Sequence, residues 1–114
     1  MQRLAASLIG VDSGRILLFS DFEDGGPMWT GDGPRLVRRT VLFSEPFRAP
    51  PTVQTAVELW DMDRQSNQRG DLFAENVARD RFELVFKTWG DTRVARLRAS
   101  WLAIGELDID DWKL

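Results

Sequence analysis

Apolar and polar residues alternate in several short stretches of this chain, and glycine, proline or charged residues separate the stretches. The clearest alternation lies in Thr52–Asp63. A period of two residues is typical of a strand with one buried face. Here it predicts one face made of Val53, Thr55, Val57 and Leu59 and an opposite face made of Gln54, Ala56, Glu58 and Trp60. The same pattern predicts strands in six ranges along the chain: Ser13–Phe22, Leu36–Ser44, Thr52–Asp63, Gly70–Val77, Asp80–Trp89 and Arg93–Gly105.

Six short strands with turns at regular intervals predict an all-β fold, a six-stranded antiparallel β-sandwich. In the last strand the alternation places Leu97, Ala99, Trp101 and Ala103 on one face and Arg96, Arg98 and Ser100 on the other. The first ten residues fit either a short helix or a strand, because Leu4, Leu8 and Val11 share helical spacing. The acidic tail, residues 106–114, is either a packed end or a partner-binding end.

Two features of the loops suggest function rather than packing. The connection Glu23–Arg35 holds four of the nine glycines and two of the five prolines, and long loops in small domains are often functional. A tryptophan, Trp89, sits at the Gly90-Asp91 turn, although turns usually face water. Both features are typical of a ligand-binding site.

Composition narrows the choice of ligand. The chain has 114 residues, which predicts one domain spanning 1–114, and its net charge of -3 argues against nucleic acid as a partner. Without His or Cys it lacks the commonest general base and metal ligands, and thiol chemistry is excluded. Asp61–Asn67 resembles a calcium loop only faintly, since the turn Gly and closing Glu are missing. No run reaches membrane-spanning length, no secretory signal is visible, and the localisation stays open.

The residue types that remain fit a carbohydrate. Aromatic rings cover the apolar faces of sugars, while Asp, Asn and Arg bind their hydroxyls, and Arg can bind two at once. Asp32, Asn67, Arg69 and Trp89 supply these types in predicted loops. An enzyme would need two facing carboxylates, and Asp32 with Asp91 is the pair to test for that. No pair stands out, so the sequence predicts a protein without catalytic activity.

Several longer segments resemble a known family. They are "VLFSEPFRAPPTV", "LWDMDRQSNQR", "RFELVFKTWGDTRV" and "ASWLAIG", with "VDSGR" as an opening strand. In order, spacing and register they are similar to the H-type lectin domain, the fold of snail agglutinins and of the C-terminal domain of discoidins. The resemblance covers about residues 11–105. It implies a six-stranded antiparallel β-sandwich that forms a homotrimer, sometimes stacked as a hexamer. It also implies galactose or N-acetylgalactosamine binding at clefts between subunits, with no metal and no cofactor.

The resemblance also implies a set of sugar-binding residues. The family's loop Asp falls on Asp32, its Asn and Arg fall on Asn67 and Arg69, and its turn aromatic falls on Trp89. The pocket His of the family is Gly90 here, with Asp91 as a substitute acceptor. A Tyr that lines the pocket is Ala95, and a small residue beside the sugar is Thr30.

These departures leave two hypotheses open. The first is a glycan-binding lectin acting as a homotrimer or hexamer. The second is a trimerisation or attachment module of a larger, phage-like or cell-surface particle, in which the sugar site has decayed.

Overall fold

The computed structural model describes residues 1–5 and 7–108, and its strands form two three-stranded antiparallel sheets. One sheet has the order β1 (Ile9–Ser20), β6 (Val94–Glu106) and β3 (Thr52–Met62). The other has the order β2 (Arg35–Leu42), β5 (Arg81–Thr88) and β4 (Asp71–Glu75). All six predicted strands and the antiparallel sandwich are confirmed.

The N-terminal segment and one loop differ from the sequence prediction in detail. Strand β1 begins at Ile9, and the described residues before it form no helix, so the strand alternative holds from that point. A single helical turn, α1 (Pro27–Thr30), lies inside the predicted loop. Four residues are too few for a helical period to show in a sequence. The predicted role of the acidic tail falls largely on residues 109–114, outside the described range.

The core lies between the two inner sheet faces. As predicted, Leu97, Ala99, Trp101 and Ala103 of β6 all point into it and are buried. The Trp101 ring packs against Phe43 and Phe82, with ring centroids 5.9 and 5.4 Å away. Trp101 also explains a glycine in β1, because a Cβ on the paired Gly14 would lie 2.7 Å from the indole Nε1.

A β-bulge corrects the predicted alternation of β3. Val57 pairs with Ala99, but Leu59 pairs with Arg98, so Glu58 is an extra residue in the ladder. Beyond the bulge the faces exchange, and Trp60 lies opposite the buried Leu97. The placement of Leu59 with Val57, and of Trp60 on the opposite face, was therefore wrong. Trp60 remains 61% exposed because β3 is an edge strand.

Three loops meet at one end of the sandwich, which we call the loop end: residues 21–34, 63–70 and 89–93. The register explains this arrangement, since the end of β1 pairs with the start of β6 at Ser20 and Arg96. In the other sheet the start of β2 pairs with the end of β5 at Arg35 and Thr88. All the predicted site residues therefore lie at the loop end. Within residues 1–5 and 7–108, no helix is long and apolar enough to cross a membrane.

Candidate functional site

Asn67, Arg69 and Asp91 meet in one hydrogen-bonded cluster at the loop end. The Arg69 Nη1 donates to Asp91 Oδ1 at 2.8 Å. The Asn67 side-chain amide donates to the same carboxylate at 3.2 Å, and the Asn67 backbone N–H donates to it at 3.3 Å. Three residues that are separated by as much as 24 positions in the sequence therefore form one polar cluster.

Two buried threonines fix the backbone of this cluster. The Thr92 hydroxyl accepts the Arg69 N–H at 3.1 Å and donates to the Asn67 carbonyl. The Thr88 hydroxyl donates to the Arg69 carbonyl at 2.6 Å. Both threonines are fully buried, and a buried hydroxyl without a hydrogen-bond partner would lower the stability of the fold. The Arg69 main chain is thus held from both sides while its side chain points outward, 37% exposed.

The charge state of Asp91 follows from these contacts. Hydrogen bonds from the Asn67 backbone N–H, then from its side chain, and a further bond from Arg69 hold the pKa of Asp91 below its ordinary value. Asp91 is therefore ionised near neutral pH and acts as an acceptor. A general acid needs a raised pKa, so Asp91 is unsuited to be the acid in a pair with Asp32.

Gly90 lets Arg69 reach Asp91. Its φ is +67°, a left-handed conformation that favours glycine, and a Cβ there would lie 3.2 Å from the Arg69 Nη1. The space next to position 90 is therefore occupied by the Arg69 guanidinium.

Gly90→Ala is expected to lower the free energy of unfolding by about 1–2 kcal/mol, because alanine is strained in the left-handed region and its methyl group crowds Arg69. Chemical denaturation measures this. Gly25→Ala is the matched control, since Gly25 also has a positive φ, of 63°, but no atom within 4 Å of an added Cβ. Equal losses in the two variants would show that the contact with Arg69 adds nothing to the backbone strain.

Asp32 lies on the neighbouring loop, which is tied to the same turn. The Gly33 N–H donates to the Gly90 carbonyl at 2.9 Å. Arg35 links both loops, because its Nε donates to the Gly33 carbonyl at 2.9 Å and its Nη2 to the Gly90 carbonyl at 3.2 Å. The Asp32 side chain is exposed and makes no hydrogen bond within the described part of the chain. It is available to a ligand.

Trp89 lies on the outer side of the second sheet, beside this cluster. It is 43% exposed and borders a shallow cavity of about 350 Å³. The cavity is also lined by Pro34, Arg35, Leu36, Lys87 and Thr88. A large aromatic ring that is exposed at a turn presents a flat apolar face to a ligand or to another subunit.

The structure brings Asn67, Arg69, Gly90 and Asp91 into contact, and it places Asp32 and Trp89 on adjoining loop segments. Sequence reasoning missed Arg35. Nothing in the sequence marks it, because its partners are backbone carbonyls, which carry no side-chain signature.

The fold agrees with one family of proteins. A model of the H-type lectin domain matches residues 38–104, which is more than half of the chain. The range includes β3, β4 and β5 completely and most of β2 and β6. The chain belongs to the H-type lectin domain family.

Among individual proteins, the chain is 55% identical over 115 residues to "ATP synthase subunits region ORF 7" of Fuscovulum blasticum, covering all of this chain and 99% of that protein. Two structures of discoidin II from Dictyostelium discoideum, one recombinant and one wild-type, superpose with TM-scores of 0.76 at 23% and 24% identity. These matches cover 95% and 94% of this chain, but only 41% and 40% of the discoidin II chains. At that identity they establish the likeness of fold.

Proposed function

We propose that the protein is a non-catalytic, metal-independent carbohydrate-binding protein that takes galactose or N-acetylgalactosamine-type sugars at clefts between the subunits of a homotrimer. Membership of the H-type lectin domain family supports this function. The observation that carries it is the outward-facing side chain of Arg69. The main chain of Arg69 is held by two threonines, and the neighbouring loop carries Asp32, which has no partner among the described residues.

The chemistry of these groups suits a sugar. Arg69 gives one Nη1 bond to Asp91, and a guanidinium has five N–H donors in a fixed fork, so donors remain for two adjacent hydroxyls. Asp32 supplies acceptors for hydroxyl protons. The ionised Asp91 holds Arg69 in place, as a neighbouring carboxylate commonly orients a binding group.

The exposed Trp89 supports the oligomeric part of the proposal. Its ring and Leu36, 52% exposed, border the same cavity, and together they form an apolar surface at the rim of the loop end. A second subunit placed against this surface would bury it and present Trp89 to a sugar held by its neighbour. Several weak sites in one assembly would then add up to useful strength through avidity.

The proposal is tested by a glycan array with the purified protein, together with light scattering for the mass of the assembly. We expect a mass that is a multiple of three chains and hits among galactose-type glycans. Hits confined to another class of sugar would contradict the specificity, and a monomeric mass would contradict the shared cleft.

Asp32→Ala is expected to lower the affinity for the best monosaccharide by at least about 10-fold, because a hydrogen bond to a charged group contributes about 1.5–3 kcal/mol. The melting temperature and the assembly mass should stay unchanged, since Asp32 has no partner within the described residues. Titration calorimetry measures the affinity. Asp24→Ala, an exposed acid in the same loop, is the matched control and should bind as the wild type does.

One observation favours a second function, that of a structural trimerisation or attachment module. Arg69 already forms an ion pair with Asp91 at 2.8 Å, and Gly90 and Ala95 stand where the resemblance places a His and a Tyr. A trimer that binds no glycan on a broad array would favour this alternative, with Trp89 serving only in packing between subunits.

A further inference from the structure

A second concave surface lies at the loop end, outside the cluster around Arg69. It is a cavity of about 530 Å³ between the ends of β1 and β3, helix α1 and the start of β6. Its walls are formed by Phe22, Glu23, Trp29, Asp61 and Arg96, and by Ser20, Met62 and Ala95. The cavity is open to solvent on one side, as a groove that holds one end of a ligand would be.

One wall is aromatic and held in place. Phe22 is 57% exposed and meets Trp29 edge to face, with ring centroids 5.0 Å apart. Trp29 is fixed by Arg93, whose guanidinium lies 4.6 Å from the ring centroid and whose Nε donates to the Trp29 carbonyl at 2.8 Å. Because Arg93 covers a face of Trp29, the ring of Phe22 is the open aromatic surface of this groove.

The opposite wall is polar. The Arg96 Nε donates to Asp61 Oδ2 at 3.2 Å, and both side chains are about half exposed, so each keeps free hydrogen-bonding atoms. Glu23 is exposed and has no ion pair within the described residues. Ala95, which is buried, adds only a small methyl group to the lining. Two carboxylates against one guanidinium leave an excess negative charge, which disfavours an anionic ligand.

We propose that this groove is a second carbohydrate subsite, which holds a neutral sugar ring next to the one bound at Asp32 and Arg69. An open aromatic ring facing carboxylate acceptors and guanidinium donors matches the apolar face and the hydroxyls of such a ring. This inference rests on the proposed function. It implies that the ligand is the end of an oligosaccharide rather than a single sugar.

The two sites are adjacent along the chain. Trp29 and Asp32 are three residues apart, so their Cα atoms lie at most about 11 Å from each other. The segment between them is fixed by Arg35, which donates to the Met28 carbonyl at 3.2 Å and to the Gly33 carbonyl at 2.9 Å. The distance between the groove and the Asp32 loop is therefore fixed, as the binding of two linked sugar rings requires.

The test compares the best monosaccharide, galactose or N-acetylgalactosamine, with a neutral disaccharide that ends in it, by titration calorimetry on the intact assembly. The wild type should bind the disaccharide about 3- to 10-fold more tightly, the gain expected from one aromatic contact. Phe22→Ala should bring this ratio close to one and leave the monosaccharide affinity within about two-fold. Leu17→Ala, an equally exposed apolar residue of β1 outside the groove, should retain the full ratio.

Charge gives a second readout. A disaccharide whose second ring carries a carboxylate should bind less tightly than the neutral one, and Glu23→Gln should narrow the difference. An unchanged ratio in Phe22→Ala, or a wild type that gains nothing from the second ring, would overturn the groove as a subsite and leave the monosaccharide site intact. Binding of neither sugar would overturn the proposed function together with this inference.

Discussion

Arg69→Ala is expected to reduce the affinity for the preferred sugar by about 10- to 100-fold, because the fork supplies charge-assisted hydrogen bonds worth about 1.5–3 kcal/mol. The stability of the fold should change by less than about 1 kcal/mol, since the Arg69–Asp91 pair is about half exposed and solvent screens such pairs. The hydrogen bonds from Thr88 and to Thr92 involve only the main chain of residue 69, so they remain in the variant. Titration calorimetry and thermal melting measure the two effects.

Two variants sharpen this prediction. Arg69→Lys keeps the charge but loses the planar fork, so it should recover little of the affinity. Arg64→Ala removes the same charge from an exposed position of the same loop and should bind normally. If Arg69→Ala lowered the assembly mass instead of the affinity, Arg69 would be an interface residue rather than a ligand of the sugar.

Trp101→Ala is expected to lower the free energy of unfolding by about 3–5 kcal/mol, the range for removing a large aromatic side chain from a core. Trp101 is 8% exposed and its ring touches Phe43 and Phe82. Gly14 has no side chain to move into the space left behind, so the cavity should stay largely open. For a domain of this size the melting temperature should fall by more than about 12 °C.

Ser100→Ala provides the control, because Ser100 precedes Trp101 in β6 and lies on the outer face of the sheet. It should change the stability by no more than about 0.5 kcal/mol. A loss for Trp101→Ala no larger than that of the control would contradict the view that this indole anchors the two sheets. Chemical denaturation separates the two outcomes.

The fold could be predicted from the sequence because half-buried strands repeat with a period of two, which is visible in the residues themselves. The prediction was wrong where one residue broke that period. Glu58 is an extra residue in β3, and nothing in the local sequence distinguishes it from its neighbours in the ladder. From there on Leu59 and Trp60 point to the faces opposite to those expected.

The site could be predicted only in part. The residue types of Asp32, Asn67, Arg69 and Trp89 suggested a sugar, and the resemblance assigned them to one site. The partnership of Arg69 with Asp91 needed the structure, because the pair is separated by 22 residues and depends on the positive φ of Gly90. The groove beside Phe22 was not predicted at all, since it is formed by residues from four separate segments.

Arg35 gives the loop end a property that bears on how this protein can change. Among the described residues, its guanidinium donates hydrogen bonds only to carbonyl oxygens, those of Pro27, Met28, Gly33 and Gly90. Every residue type carries a backbone carbonyl, so the exposed side chain at position 32 can be exchanged while these contacts are retained. The path of the loop and the side chain that it presents at position 32 can thus change independently, so the surface chemistry at this end of the sandwich can vary without a new scaffold.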